Sequence, residues 1–294
     1  MLVCTADPKG VCVVEFQHIV VAPMHGAFGA EVSGFDAGAP IEAAVAAELN
    51  RAFGDYKLLV FRDAVTSIER HKHLARAFGE AQIHPLFDAL PGHPEVIQFM
   101  KDVDDTVNFG GAWHADMTCL DEPPAASVLR ILEAPPVGGD TMFSDMCAAY
   151  DALSAPMKAM LDGLEAIHTS AKVYGPAGKY AQSNAKNASA VRMDGMVSNN
   201  HPVIRTHPRT GRKSIFVNRA NSIFIRGLSL EESSLILEFL YQHAVRGEFT
   251  TRLRWKNDTT AIWDNRCLQH YALNDYHGYR RVAQRINIQG DRPA

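Results

Sequence analysis

Between Asn108 and Cys119 the chain reads NFGGAWHADMTC, which sets the imidazole of His114 two residues before the carboxylate of Asp116. In an extended strand, residues i and i+2 project from the same face, so both groups would point at one spot. A third ligand from elsewhere would complete the two-histidine, one-carboxylate face that holds ferrous iron and leaves positions open for substrates and oxygen. The spacing by itself is a weak signal. With 13 histidines and 33 acidic residues, about one such match is expected by chance, and the chain has a second in His93-Pro94-Glu95. Gly92 and Pro94 mark that second match as a loop entering a strand. A lone His-x-Asp is also what a surface strand with a hydrogen-bonded pair looks like, so the rest of the chain must decide the chemistry.

The chain has 294 residues, 47% of them hydrophobic, enough to bury a sizeable core, and it reads as one domain. A net charge of −4 with no run of five like charges argues against a nucleic-acid or polyanion partner and for a small molecule. No stretch approaches the 18 consecutive apolar residues of a membrane span, and the opening MLVCTADPKGVCVVEF lacks the layout of a secretion signal. The expectation is a cytoplasmic protein that does not enter a membrane. Cys4, Cys12, Cys119, Cys147 and Cys267 are scattered without a CxxC pair, which suits reduced, mostly buried thiols.

Residues 11–22 (VCVVEFQHIVVA) read as a strand. From Ile41 to Phe53, apolar Ile41, Val45, Leu49 and Phe53 recur every four residues, predicting a helix stopped by Gly54. Leu58 to Phe61 makes a short buried strand. Thr66-x-x-Glu69 is a capping-box match for a second helix closed by Gly79, with His71 and His73 on different faces and solvated. Beyond Glu95 the pattern becomes short strands (VIQFM, the His114 stretch, ASVLRILEA, DTMFSDM) with Gly and Pro between them, which argues for a sandwich or barrel. Asp145 to Leu153 and Ser154 to Leu164 read as helices. Residues 171–200, rich in Gly, Ser, Asn and Ala, form the longest stretch without a pattern and read as a lid over the site. HPVIRTHP and KSIFVNR restore order, Ser229-x-x-Glu232 caps a helix to His243, and FTTRLRW, TAIWDNR and RRVAQRINI are the closing strands.

The run Ala261 to Gly290, AIWDNRCLQHYALNDYHGYRRVAQRINIQG, supplies His270 and then Arg281 on the next strand. Together with WHAD, the GGDT segment of Gly138 to Thr141, and GAEVSGFD, LLVFRD and ARAFGE nearer the start, it resembles the taurine dioxygenase family of ferrous-iron, 2-oxoglutarate-dependent oxygenases nearly end to end. The resemblance implies a mainly β fold with flanking helices, a double-stranded β-helix or jelly-roll barrel of the cupin kind with iron at its mouth. It assigns His114, Asp116 and His270 to the iron, and Arg281 and Thr141 to the distal carboxylate of 2-oxoglutarate. The residue types agree: neutral imidazoles and a carboxylate suit ferrous iron, and a guanidinium fork meets a carboxylate bidentately. It also implies oxygen as cosubstrate, succinate and carbon dioxide as products, attack on a C–H bond of a second substrate, and a dimer or tetramer.

Two polar pocket positions of the taurine enzymes are kept, His84 in the IHP triplet and Arg285. On a strand Arg281, Ala283 and Arg285 share one face, so both guanidiniums can look into the barrel. An inward charge at Arg285 needs a partner, and a second anion is the simplest one, an internal salt bridge being the alternative. Other positions depart. Phe87 replaces a tyrosine, Gly110 or Gly111 stands where an asparagine is expected with Asn108 as a near substitute, and Asn221 falls near a phenylalanine position. The expected substrate is therefore a small organic anion, sulfonate-like or carboxylate, that is more apolar or larger than taurine at its reacting end. The alternative is a dioxygenase cleaving alkyl sulfate esters or aryloxyalkanoates. A zinc hydrolase could use the same three ligands but has no need of Arg281 and Thr141.

Overall fold

The computed structural model describes residues 4–6, 12–14, 16–24, 26, 28–176, 178 and 196–294. One eight-stranded sheet runs in the order Val20–Pro23, Ala30–Ser33, Leu58–Phe61, Thr260–Asp264, Ala126–Glu133, Arg281–Ile288, Ala81–Gln82, and Ile97–Lys101 also pairs with Arg281–Ile288. Its pairings are antiparallel except that of Ala30–Ser33 with Leu58–Phe61. A three-stranded sheet, Thr250–Leu253, Thr141–Asp145, Leu268–Ala272, is also antiparallel. The side chains buried between the two sheets, among them Leu58, Val60, Ile131, Phe143, Trp263 and Ala283, form one core of a double-stranded β-helix.

The other face of the large sheet is closed by the helices Ala43–Tyr56 and Ile68–Arg76, whose Leu49, Phe53 and Leu74 pack with Leu59, Phe61, Val128 and Ile286. Each of these large apolar side chains contributes roughly 1.5–3 kcal/mol by leaving water. Beyond the small sheet, Met146–Asp151, Ala155–Leu161 and Leu230–His243 pack with the strands Glu165–Thr169, Ile204–Thr206 and Lys213–Ile215 around a third core. The expected starts of these three helices are right. Asp145, Ser154 and Ser229 cap them, and Ser229 with Glu232 forms the reciprocal capping box.

Several local expectations are corrected. Residues 11–22 do not form one strand. Cys12–Val14 and Val20–Pro23 are separate, because the carboxylate of Glu48 accepts the backbone N–H groups of Gln17, His18 and Ile19 at 2.8–3.2 Å and so takes donors a strand would need. The first helix passes Gly54 and stops at Lys57, which adopts φ 62°. The second is capped by Ser67, which accepts from the N–H of Arg70, and not by Thr66. The His114 stretch is no strand. It touches the small sheet by a single bridge to His270 and then turns, with Met117 at φ 49°. Of the expected lid, residues 177 and 179–195 lie outside the described residues. Its described ends are ordered, as a short helix Ala171–Tyr174 and the entry to the strand Ser198–Pro202.

His71 is not solvated. It is buried beneath the large sheet with Nε2 against the carbonyl of Val128 at 3.0 Å, and burial pushes its pKa down to about 4. A histidine held neutral this way favours the fold fully above its unfolded value of 6.5, and that advantage is lost as pH falls towards 4. The buried His84 and His168, each pushed down to about 3, act in the same direction. Urea unfolding of the wild type should therefore show stability falling as pH drops from 6.5 towards 4, with about 3 kcal/mol of the loss absent from His71→Gln. A parallel pH dependence in the variant would remove His71 from this account.

Candidate active site

The small sheet sets the site's frame. In its register Ala272 faces Thr141 and His270 faces Phe143, so these four side chains share one side of the sheet. His114 is locked to that frame from outside by a reciprocal backbone pair, its N–H to the carbonyl of His270 at 3.1 Å and the N–H of His270 to its carbonyl at 2.8 Å. The convergence predicted from i, i+2 strand geometry is thus real but arises from this bridge. Gly110, at φ 78°, lets the loop pass close. A Cβ there would sit 3.3 Å from the His114 ring and 3.4 Å from Ala272.

His114 Nε2 and His270 Nε2 lie 3.8 and 3.9 Å from Asp116 Oδ1, and the three ligand atoms are all within 4.8 Å of one another. His114 Nδ1 sits 2.7 Å from the carbonyl of Ala112, so it carries the proton and leaves the Nε2 lone pair toward Asp116. Burial lowers the pKa of both histidines, which keeps them neutral and able to ligate. Burial would raise that of Asp116, but Arg285, the two imidazoles and Ser127 outweigh it and hold the carboxylate ionised, well below the usual range. Ser127 donates to Oδ2 at 2.6 Å and Arg285 to Oδ1 at 2.8 Å, while Asn265 grips the Asp116 backbone at both N–H and C=O. Two neutral imidazoles and one anchored carboxylate fit ferrous iron.

Beside the triad, an inner cavity ends at Arg281, Thr141, Trp255 and Tyr276. Arg281 has no ion-pair partner among the described residues, and its buried Nε has no hydrogen-bond partner. Trp255 Nε1 donates to Thr141 Oγ1 at 2.8 Å, which leaves the threonine hydroxyl hydrogen free to be donated into the cavity. On the other side of the triad an outer cavity of about 250 Å³ is bordered by Met117, Lys172, Tyr174, Arg219, Asn221 and Arg285.

The predicted residues therefore separate into two groups. His114, Asp116, His270, Thr141, Arg281, Arg285 and Asn221 all line these cavities. Arg285 is paired internally with Asp116, so the argument that its charge calls for a second anion does not hold in that form. His84, Phe87 and Asn108 are not on either lining. His84 turns Nδ1 to the N–H groups of Leu86 and Phe87. Phe87 is buried behind the wall, edge-on to Phe99, Phe109 and Tyr174 at 5.6–5.8 Å. Asn108 clamps the carbonyl of Ala272 at 2.9 Å. These residues support the pocket from behind. Ser127, Asn265 and Trp255 were missed, since a lone Ser, Asn or Trp has no spacing signature.

A second cluster, His207, Asp264 and Cys267, has metal-like geometry but different chemistry. His207 Nδ1 accepts from the N–H groups of Arg209 and Thr210, so Nε2 holds the proton and donates to Asp264 at 3.0 Å. Arg266 covers both Asp264 oxygens, so neither the imidazole nor the carboxylate offers a cation an open ligand atom. The other match, His93-Pro94-Glu95, is a half-buried network around Lys72, which lies 2.8 Å from His93 Nδ1 and 2.9 Å from Glu95.

A jelly roll with a two-histidine, one-carboxylate face beside an unpaired guanidinium defines the 2-oxo-acid-dependent oxygenase class. Residues 21–287 match the family model described as taurine catabolism dioxygenase TauD, TfdA family, and the chain belongs to that family. It is 31% identical over 279 residues to an alpha-ketoglutarate-dependent sulfate ester dioxygenase of Pseudomonas putida, covering 93% of this chain and 90% of that one. It is 30% identical over 291 residues to an alpha-ketoglutarate-dependent 2,4-dichlorophenoxyacetate dioxygenase of Cupriavidus pinatubonensis, covering 93% and 98%. The solved taurine dioxygenase of Burkholderia xenovorans superposes with a TM-score of 0.80 at 31% identity, covering 95% and 93%. The protein is a 2-oxoglutarate-dependent dioxygenase that uses ferrous iron and oxygen and acts on a small molecule. No helix among the described residues is long and apolar enough to cross a membrane.

Because Ser127 fixes the carboxylate that must meet a metal, Ser127→Ala should weaken metal binding by about 10–100-fold. Calorimetric titration of the apoprotein with ferrous ion under nitrogen would show it. Unchanged affinity would mean that Arg285 and Asn265 orient Asp116 without the serine.

Proposed function

We propose that His114, Asp116 and His270 hold the iron, that Arg281 and Thr141 bind the distal carboxylate of 2-oxoglutarate, and that the enzyme hydroxylates a small organic anion, a sulfonate or a carboxylate. Succinate and carbon dioxide are the coproducts. The observation that carries this reading is Arg281, a half-buried guanidinium with a free Nε and no ionic partner among the described residues, facing the same cavity as the triad. A charge in that position calls for an anion, and a planar fork beside a hydroxyl donor suits a carboxylate. When bound, iron and 2-oxoglutarate supply the oxidation of a C–H bond. The protein's share is to keep the imidazoles neutral, the carboxylate ionised and the target carbon near the metal position.

Support for an anionic substrate comes from the outer cavity, which is bordered by Lys172, a cation with no carboxylate partner among the described residues, and by Arg219 and Arg285, which are paired with Glu238 and Asp116. Its Met117, Val173, Tyr174 and Ala220 surfaces support a substrate whose body is apolar, larger than an aminoethyl group. The same apolar walls favour the second reading, cleavage of an alkyl sulfate ester or aryloxyalkanoate. A hydroxyl placed on the carbon next to the ester or ether oxygen makes that C–O bond collapse to a carbonyl and a released sulfate or phenol. The setting proposed is a cytoplasmic homo-oligomer, a dimer or tetramer. Buried free thiols at Cys119, Cys147 and Cys267 support the compartment, and the exposed Leu235 and Phe239 on one helix support self-association.

Two measurements test the chemistry. Arg281→Gln should raise the 2-oxoglutarate dissociation constant several hundredfold, because removing one member of a desolvated charge pair costs on the order of 3–5 kcal/mol. An unchanged binding isotherm would give the carboxylate to another residue. In the second, succinate formation under air is scored across sulfonates, sulfate esters, aryloxyalkanoates and their neutral analogues. Turnover is expected with anions only, with release of sulfate or phenol marking cleavage. Turnover confined to neutral compounds would end the anion assignment.

A further inference from the structure

The inner cavity contains a residue that neither the sequence pattern nor the family motif singles out. Lys101 closes the strand Ile97–Lys101, is only 4% exposed, and its Nζ is buried with no hydrogen-bond partner. It lines the same cavity as Arg281, Thr141 and the triad. In the pairing of its strand with Arg281–Ile288 it stands directly opposite Arg281, and residues so paired place their side chains next to each other on one face. Its close neighbour is the ring of Tyr276, whose centroid is 4.5 Å from Nζ. Asp105 is near enough to act on its charge but forms no ion pair with it, and its Oδ2 accepts the N–H of Asp102 at 2.8 Å.

Two cations opposite each other on neighbouring strands repel, and a buried ammonium without an acceptor is costly. The fold nonetheless holds both at the end of the cavity farthest along the strand from Arg285. An anion that enters this end relieves both costs together, and among the described residues neither cation has an ion-pair partner, Lys101 meeting only the ring of Tyr276 and the more distant charge of Asp105. Building on the role proposed for Arg281, we infer that Lys101 is a second cation for the distal carboxylate of 2-oxoglutarate. Arg281 and Thr141 give that carboxylate directed hydrogen bonds, and Lys101 adds a charge from the neighbouring strand. Lys101 is thus a specificity residue for oxo acids that carry a second carboxylate.

The test compares wild type with Lys101→Met, which keeps the length of the side chain and removes its charge. Binding of 2-oxoglutarate and of 2-oxobutyrate, which has no distal carboxylate, is measured by calorimetry on iron-loaded protein under nitrogen. Lys101→Met should raise the 2-oxoglutarate dissociation constant at least about tenfold. It should leave that of 2-oxobutyrate within about twofold and leave the thermal midpoint of the ligand-free protein unchanged or higher. A lysine that merely supports the fold would show the opposite, a lower midpoint with unchanged 2-oxoglutarate binding, and this result would overturn the inference. So would an equal loss for both oxo acids, which marks a general distortion of the site. Should the Met variant fail to fold, Lys101→Gln is judged by the same criteria. Wild type that fails to bind 2-oxoglutarate would overturn the role of Arg281 and this one with it. Wild type that binds it, alongside a Lys101 variant that binds it equally well, removes Lys101 alone.

Discussion

The structure depends on one buried carboxylate. Asp116 lies where desolvation alone would keep it protonated, and a neutral acid would be a poor ligand and a poor partner for Arg285. Keeping it charged needs donors from several directions at once: Ser127 from the strand Ala126–Glu133, Arg285 from Arg281–Ile288, and the two imidazoles. Asn265, which follows the strand Thr260–Asp264, ties the Asp116 backbone on both sides and also reaches the carbonyl of Pro124. Adjacent strands of the large sheet are thus drawn to one point by a charge that belongs to neither sheet.

This arrangement explains why the two faces of the large sheet differ. Its outer face meets helices mainly through aliphatic and aromatic contacts, with the buried His71 held against the Val128 carbonyl among them. Its inner face is apolar near Ile131, Trp263 and Ala283 and turns polar along Arg281 and Arg285, where the jelly roll opens. Alternation along a single strand supplies both surfaces, with Val282, Gln284 and Ile286 on the side opposite Arg281, Ala283 and Arg285.

The sequence carried the site further than the local fold. Residue types with strict chemical demands were legible: two imidazoles, a carboxylate, a guanidinium and a hydroxyl in a family-like order, and the structure brings all five side chains together. The helix starts at Asp145, Ser154 and Ser229 were legible, and in each the side chain satisfies backbone donors that have no other partner. Other features depend on distant atoms. Nothing near Gln17 announces that Glu48 will take its N–H, and nothing near His71 announces that a sheet will cover it. The pocket wall was hardest to read. Phe87 falls at a pocket position of the family and Asn108 near one, yet each acts one layer behind the surface, a matter of side-chain direction that linear spacing does not encode.

The bond from Trp255 to Thr141 has an optical consequence. The indole N–H is tied to the hydroxyl at the closed end of the inner cavity, and the ring lies 5.9 Å from the guanidinium carbon of Arg281. The chain has only two other tryptophans, Trp113 and Trp263. A change of charge or hydration at that end alters the electric field along one indole directly, so ultraviolet emission carries a signal from the depth of the barrel without any added label. With Trp113 and Trp263 replaced by phenylalanine, that emission would follow events at the closed end of the cavity alone, separate from those at its mouth.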